Sequence, residues 1–216
     1  MTRDVKYCPT PVLANAAERI LGAWSPRSLA IEGLIPVRTT DKAVGPAYTI
    51  RLRRARSNSR ANAARVLAAY DAAPANSIVV VQVVDDVGGA LLGDIIAHRL
   101  KKIGVAGVVV DGPVRDLDGL AAFGPAIWYR VAVTTGLEMA DTETEVHVSL
   151  EIASATIRPG EILVADRDGV VLVPSPEMDA FSAQAEAIVA REETIHDGLE
   201  ANRSLIDVLN FRDALT

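Results

Sequence analysis

An arginine and several carboxylates follow a strongly apolar segment near the middle of the chain. The stretch GVVVDGPVRDLDGL, residues 107–120, runs from consecutive valines to Arg115 and Asp116, with Asp111 and Asp118 close by. A planar guanidinium suits an anionic substrate, and neighbouring carboxylates suit a divalent cation. The same residues can form a turn and begin a helix, since aspartate favours helix starts. Residue types alone leave both interpretations open.

A second candidate position is the helix start in GGALLGDIIAHRLKKIG, at Gly93-Asp94. The first backbone N–H groups of a helix have no acceptor within it, and the helix dipole favours an anion there. The amides of Asp94, Ile95 and Ile96 therefore form a candidate anion site. Asp94 taken alone is an ordinary helix-start residue.

The elements around these residues predict that the two positions meet. Residues 77–86 form a β-branched run typical of a buried strand, and VAGVVVDG predicts a second strand that turns at Gly112-Pro113. With the helix between them they form a crossover whose strands are parallel, so both carboxyl ends lie at one edge. The buried stripe of the helix is predicted at Ile95, Ile96, Leu100 and Ile103.

The remaining segments predict one α/β domain over residues 1–216. An amphipathic helix lies in TPVLANAAERILGAW, and Gly45-Pro46 is expected to break the chain before the strand AYTIRL. EILVADRDGVVLVP predicts a hairpin that turns at Asp166–Gly169 and ends at Pro174. A long helix is predicted over about residues 176–205, with a break near Gly198.

Composition excludes several classes of protein. Half of the residues are hydrophobic and 4% are aromatic, which suits layered α/β packing. The net charge of −6 disfavours binding to nucleic acid, and the single cysteine excludes an internal disulfide or a cysteine zinc cage. No apolar run approaches the length of a membrane span, so we expect no membrane association and a cytoplasmic protein.

The central block GGALLGDIIAHRLKKIGVAGVVVDGPVRD, residues 88–116, resembles the RraA-like family, which includes 4-hydroxy-4-methyl-2-oxoglutarate aldolases. PGEILVADRDGVVLVP resembles the family's late hairpin, AREETIHDGL its C-terminal helix, and GPAYTIRL an early strand. In the central block the matching positions are Gly88-Gly89-Ala90, Gly93-Asp94, Gly104, Gly107, Asp111-Gly112 and Arg115-Asp116.

The resemblance implies a three-layer swivelling β/β/α fold, assembled as a homotrimer or as a homohexamer of two stacked trimers. It implies a lyase that cleaves a 4-hydroxy-2-oxo dicarboxylate to pyruvate through an enolate, with oxaloacetate decarboxylation as a second activity. The implied cofactor is Mg²⁺ or Mn²⁺. A Schiff-base mechanism is disfavoured, because Lys101 and Lys102 lie on the helix after the cleft.

Carried over residue by residue, the resemblance implies that Asp116 ligates the metal and Arg115 holds the keto and carboxylate oxygens of the substrate. Asp94 would hold metal-bound water, and the amides from Gly93 to Ile96 would bind the pyruvate carboxylate. Such roles are consistent with the preference of Mg²⁺ for few carboxylates and several waters.

A glutamate from the C-terminal helix of a neighbouring subunit, either Glu192 or Glu193, would complete the site. Residues 130–160 depart from the pattern of the aldolases, and this segment should shape the pocket for the distal part of the substrate. The alternative function is that of RraA itself, a regulator that binds and inhibits a ribonuclease without catalysis.

Overall fold

The described residues form a mixed β-sheet with helices on both faces. A computed structural model describes residues 8–21, 29–85, 87–173 and 178–212. The helices are α1 (Thr10–Leu21), α2 (Arg60–Asp71), α3 (Asp94–Lys102), α4 (Leu117–Phe123), α5 (Met178–Glu200) and α6 (Leu205–Val208). The strands are β1 (Ala30–Ile31), β2 (Ile35–Pro36), β3 (Ala43–Arg54), β4 (Ile78–Val83), β5 (Gly107–Val114), β6 (Ala126–Ala132), β7 (Thr142–Val146), β8 (Leu150–Ile152), β9 (Ala155–Ile157), β10 (Ile162–Ala165) and β11 (Val170–Val173).

The centre of the sheet consists of parallel strands. β3 pairs with β4, β4 with β5 and β5 with β6, all in parallel, and the predicted β4–α3–β5 crossover is confirmed. β10 and β7 both pair with β3 in antiparallel fashion, at opposite ends of that long strand. The carboxyl ends of β4 and β5 therefore open at one edge, where ligands bind in open α/β sheets.

Alternate residues of the parallel strands face two separate hydrophobic cores. Ile78 and Val80 of β4 pack with α1, α5 and the hairpin β10–β11. Val79 and Val81 pack on the other face, in the core that includes α2, α3 and α4. Each fully buried valine contributes roughly 1.5–3 kcal/mol to folding, so covering both faces strongly favours this layered arrangement.

Two predicted chain breaks lie inside strands instead. β3 includes Gly45 and Pro46, because its first residues pair with β10 and the following ones with β4. Pro46 lies where the strand changes partner and is exposed, so its missing N–H is tolerated. β5 likewise continues through Gly112-Pro113, with a register irregularity against β6 between Val110 and Pro113.

The late hairpin and the C-terminal helix are both confirmed. β10 and β11 pair directly, and Asp166 N–H donates to the carbonyl of Gly169 within the turn.

The C-terminal helix α5 continues through Gly198, where a break was predicted. A Cβ at Gly198 would lie 2.6 Å from Cγ1 of Val208, so glycine lets α6 fold back closely. Pro174, the predicted hairpin end, lies outside the described residues, as do Asp86 and Pro176. In the part of the chain that the structure describes, no helix is both long and apolar enough to cross a membrane.

Hydrogen bonds hold the segment before α3 between the end of β5 and the loop after β6. Leu91 N–H donates to the carbonyl of Pro113 (2.8 Å), and Ala90 N–H donates to that of Thr135 (2.9 Å). The buried Tyr70 hydroxyl donates to the carbonyl of Leu91 (2.7 Å) from α2. Burial raises the pKa of Tyr70 well above its usual value, so the phenol keeps its proton and remains a donor.

We expect Tyr70→Phe to lower the free energy of unfolding by about 1 kcal/mol, because the Leu91 carbonyl loses its partner. Tyr48→Phe is a matched control, since the Tyr48 hydroxyl donates to the carbonyl of Ala69 (2.9 Å) away from the loop. Urea denaturation should give similar losses for both variants. Amide exchange in the peptide that contains Ala90 and Leu91 should accelerate only in Tyr70→Phe. Equal acceleration in both variants would contradict the role of the Tyr70 hydroxyl in holding the segment before α3.

Candidate functional site

Arg115 and Asp116 lie where β5 ends and α4 begins. Their side chains form an ion pair, with 3.1 Å between Nε of Arg115 and Oδ2 of Asp116, and each is 42% exposed. The Arg115 N–H donates to the carbonyl of Leu92 (3.1 Å). That bond ties the pair to the segment leading into α3, so the two helix starts predicted to meet do lie side by side.

Asp116 has a left-handed backbone conformation, with φ 59° and ψ 47°. It is the residue immediately before α4, and its carbonyl accepts the N–H of Leu120 (2.8 Å). Positive φ is uncommon outside glycine, although aspartate tolerates it better than most residues. The sharp change of direction separates Asp116 from the axis of β5 and leaves its carboxylate exposed at the edge of the sheet.

Two glycines make room for the Arg115 side chain. A Cβ at Gly136 would lie 2.7 Å from Nη1 of Arg115, and one at Gly93 would lie 3.3 Å from its Nε. The same Cβ at Gly93 would lie 3.0 Å from Oδ2 of Asp116. The guanidinium therefore lies against the start of α3 on one side and the loop after β6 on the other.

Asp94 is the first residue of α3 and faces the same edge. Gly93 precedes the helix in extended conformation and provides no side-chain cap. A Cβ at Gly119 of α4 would lie 2.6 Å from Cβ of Asp94, so glycine permits close contact between the two helix starts. The first-turn amides, including those of Ile95 and Ile96, have no acceptor within the helix. Such amides beside the Arg115 guanidinium are a candidate anion site.

A pocket of about 280 Å³ opens over these groups. Its polar and small residues are Ala90, Gly93, Asp94, Arg115 and Gly136. Its larger apolar side chains are Leu67, Leu91, Ile95, Ile96, Leu137 and Met139. Predicted residues of both helix starts thus line one pocket, namely Gly93, Asp94, Ile95 and Ile96 at α3 and Arg115 before α4, and Asp116 is ion-paired to Arg115.

Other predicted positions lie elsewhere. Asp111 forms an ion pair with Arg130 of β6, with 2.9 Å between Oδ1 and Nε. It therefore links two neighbouring strands and does not line the pocket. Ile95, expected in the buried stripe of α3, is 78% exposed because it lies at the pocket mouth. Ala97 and Leu100 are the residues of α3 that are buried.

Glu192 and Glu193 are on α5, where both are exposed. Phe181, Ala185 and Ile188 of this helix are in the core shared with α1, on the sheet face opposite α3 and α4. A single chain therefore does not bring these glutamates to Arg115 through the packing of α5.

The loop after β6 contributes residues that the sequence analysis did not identify as site residues. Gly136, Leu137 and Met139 line the pocket, and Leu137 N–H donates to the carbonyl of Ala90 (3.2 Å). This loop belongs to the segment that departs from the aldolase pattern. The departure from the aldolase pattern is the feature of the sequence that points to this loop. The spacing of the loop residues does not predict their contact with Ala90.

Within the described ranges, no group of three or more histidine, cysteine, aspartate or glutamate side chains could together hold a metal ion. A closed cage of protein ligands is thus not formed by this part of the chain. Of the two candidate carboxylates, that of Asp94 lines the pocket with Arg115, and that of Asp116 is ion-paired to Arg115.

The chain is similar in sequence to proteins that carry aldolase names. A protein from Halalkalibacterium halodurans, provisionally named 4-hydroxy-4-methyl-2-oxoglutarate aldolase, is 30% identical over 176 residues, which cover 80% of each chain. A Thermus thermophilus protein named 4-hydroxy-4-methyl-2-oxoglutarate aldolase is 38% identical over 87 residues, 40% of this chain and 52% of that one.

A solved structure has the same fold. Streptomyces coelicolor RraAS2, described as an unusual member of the RNase ES inhibitor RraA protein family, superimposes with a TM-score of 0.72 at 24% identity. The match covers 89% of this chain and 93% of that one. Residues 13–172 match the family model described as RraA-like, aldolase/RraA. The α/β fold with its long C-terminal helix is confirmed, and the chain belongs to the RraA-like family.

Proposed function

We propose that this chain is a divalent-metal-dependent lyase that releases pyruvate from a 4-hydroxy-2-oxo acid and also decarboxylates oxaloacetate. The observation that carries the proposal is the position of the Arg115 guanidinium, held beside Gly93 and Gly136 at a pocket that the start of α3 also lines. The aldolase names of relatives from Halalkalibacterium halodurans and Thermus thermophilus support it. Those names suggest 4-hydroxy-4-methyl-2-oxoglutarate as the first substrate to assay.

Arg115 is proposed to bind the oxo-acid end of the substrate. Its planar fork can donate two parallel hydrogen bonds to adjacent carboxylate and keto oxygens. The amides from Gly93 to Ile96 would donate to the same carboxylate, assisted by the dipole of α3. Both donors are positioned by backbone hydrogen bonds, so the site requires little rearrangement as charge develops.

Asp116 and Asp94 are proposed to hold Mg²⁺ or Mn²⁺. Their number fits a hydrated cation of this kind, which takes one or two protein carboxylates and keeps several waters. Asp116 would be the direct ligand and Asp94 would orient bound water. When bound, the cation would act as a Lewis acid on the 2-oxo oxygen.

The bond that breaks joins C3 and C4 of the substrate. Its electron pair remains on C3 as the pyruvate enolate, while the C4 hydroxyl loses a proton and becomes a carbonyl. Negative charge grows on the 2-oxo oxygen, and the Arg115 guanidinium stabilises that charge. Oxaloacetate would reach the same enolate by losing CO₂, so one arrangement of residues serves both reactions.

A neighbouring copy in a homotrimer or homohexamer is proposed to supply Glu192 or Glu193. Within one chain, α5 packs against α1 on the other face of the sheet, so its exposed glutamates lie away from the Arg115 pocket of the same chain. An additional carboxylate at the rim could orient water and move the proton of the C4 hydroxyl.

The alternative proposal is a regulator of a ribonuclease. It is supported by the description of the Streptomyces coelicolor neighbour as a member of an RNase ES inhibitor family. The two functions differ in what they require of the acidic residues. A protein contact does not need Asp94 and Asp116 beside Arg115, whereas a metal-assisted lyase does.

Arg115→Lys and Asp116→Asn should each lower pyruvate release by roughly a hundred- to a thousandfold, as expected for loss of a transition-state contact. The assay couples pyruvate to lactate dehydrogenase, on oxaloacetate and on 4-hydroxy-4-methyl-2-oxoglutarate, with Mg²⁺ or EDTA. Asp118→Asn is the matched control, because Asp118 is an exposed residue of the first turn of α4 outside the pocket. Absence of metal-dependent turnover by the unaltered chain would contradict the lyase proposal.

Gly136→Ala should reduce kcat/KM by about tenfold to a hundredfold, because a methyl group there displaces the Arg115 guanidinium from its position. The unfolding temperature should change little, since the displaced atoms are the flexible end of a side chain. Thr134→Ala, an exposed neighbour, is the control. Full activity of Gly136→Ala with an unchanged Tm would contradict the proposal that the reaction depends on the position of the Arg115 guanidinium.

Mixing two inactive variants tests the contribution of a neighbouring subunit. Asp116→Asn and the double variant Glu192→Gln, Glu193→Gln should each be inactive, and co-assembled mixtures should regain part of the activity. Recovery is expected because a mixed interface can combine an intact Asp116 with an intact glutamate. Light scattering establishes the oligomer. Mixed oligomers without recovered activity would show that the glutamates do not act across an interface.

A further inference from the structure

The wall of the pocket beyond Arg115 is apolar. Leu67 of α2, Ile95 and Ile96 of α3, and Leu137 and Met139 of the loop after β6 all line it. Asp94 and Arg115 are the charged side chains among the described residues of that lining. Arg115 is therefore the one cation that this part of the chain presents to a ligand in the pocket.

A substrate with two carboxylates would need a second partner. If Arg115 holds the oxo-acid end, a carboxylate on C4 would lie against aliphatic side chains or near the like charge of Asp94. Removing a carboxylate from water without a hydrogen-bonding or charged partner is strongly unfavourable. A methyl or ethyl group at the same place would instead gain from contact with the wall.

Two further arginines, Arg54 and Arg65, are not part of the lining of this pocket. Arg54 lines an adjacent recess together with Glu138 and Asp141, whose charges oppose an incoming carboxylate. Arg65 of α2 is exposed, and its Nη1 donates to Oδ1 of Asn62 (3.2 Å). Neither arginine lines the pocket above Arg115.

We propose that the preferred substrate is a 4-hydroxy-2-oxo monocarboxylate with a short aliphatic group on C4, so that the second product is an aliphatic aldehyde. This inference rests on the lyase function proposed above and departs from the dicarboxylate implied by the family resemblance. The cavity of about 280 Å³ lies just below the range of roughly 300–1,000 Å³ for small-ligand sites, which favours a short substituent.

The reaction balances without a further reactant. The C3–C4 bond breaks and its electron pair stays on C3. The C4 hydroxyl gives up its proton as C4–O becomes the aldehyde carbonyl, and the enolate takes up a proton at C3 to give pyruvate.

Two substrates of matched size test the proposal. 4-Hydroxy-2-oxopentanoate and 4-hydroxy-2-oxoglutarate differ only in a methyl group against a carboxylate on C4. With the purified full chain and Mg²⁺, pyruvate and the second product are followed directly by proton NMR. We expect kcat/KM to favour the pentanoate by about tenfold to a hundredfold, because the second carboxylate of the glutarate would lose its hydration at the apolar wall without gaining a partner.

A cation introduced into the wall should reverse this preference. Leu137→Arg adds a guanidinium to the lining of the pocket that Arg115 also lines, and Met139→Lys is a second variant in case the first fails to fold. Either should shift the ratio of the two kcat/KM values toward 4-hydroxy-2-oxoglutarate by at least about tenfold. Leu205→Arg adds the same charge at an exposed position of α6 and should leave the ratio unchanged.

The outcomes separate this inference from the function on which it rests. Metal-dependent turnover of both substrates with the glutarate preferred would overturn the monocarboxylate proposal and leave the lyase standing. Turnover of neither substrate, nor of oxaloacetate, would overturn both. Preference for the pentanoate, reversed by Leu137→Arg or Met139→Lys and not by Leu205→Arg, would support both.

Discussion

The site depends on how the short segment before α3 is held between the end of β5 and the loop after β6. Ala90 exchanges backbone hydrogen bonds with the loop after β6, and Leu91 and Leu92 bond to the end of β5 and its continuation. Tyr70 anchors the same segment from α2. These bonds fix where α3 begins relative to Arg115. Since buried backbone groups must be paired, the segment can move only by breaking several bonds together.

Small residues turn that backbone arrangement into a pocket with a charged region and an apolar wall. Gly93 and Gly136 leave the room that the Arg115 side chain occupies. The charged groups and the α3 amides would set the reaction, because they act where charge develops in the substrate, and the aliphatic wall would set the choice of substrate. RraA-like proteins include chains named as aldolases and as ribonuclease inhibitors. The fold alone does not distinguish these functions, which differ in what they would require of the residues around Arg115.

Local sequence was sufficient for the parts of the protein that depend on periodicity and on strand order. The valine runs predicted β4 and β5, and a crossover with parallel strands placed the α3 start and Arg115-Asp116 at one edge. Local signals failed at Gly45-Pro46 and Gly112-Pro113, where pairing with neighbouring strands overrides the turn preference of these residues. They also failed for Ile95, which fits a buried stripe but lies at the pocket mouth.

Only the tertiary structure decided which residues distant in the chain complete the site. Leu67, Gly136, Leu137 and Met139 come from α2 and from the loop after β6. Asp111, adjacent in sequence to the candidate residues, pairs with Arg130 instead. The sequence by itself determined the Arg115-Asp116 pair and the helix start, because both lie at the ends of elements with clear local patterns. Long-range packing decided which residues form the apolar wall of the pocket, because contacts between distant segments leave no regular spacing in the chain.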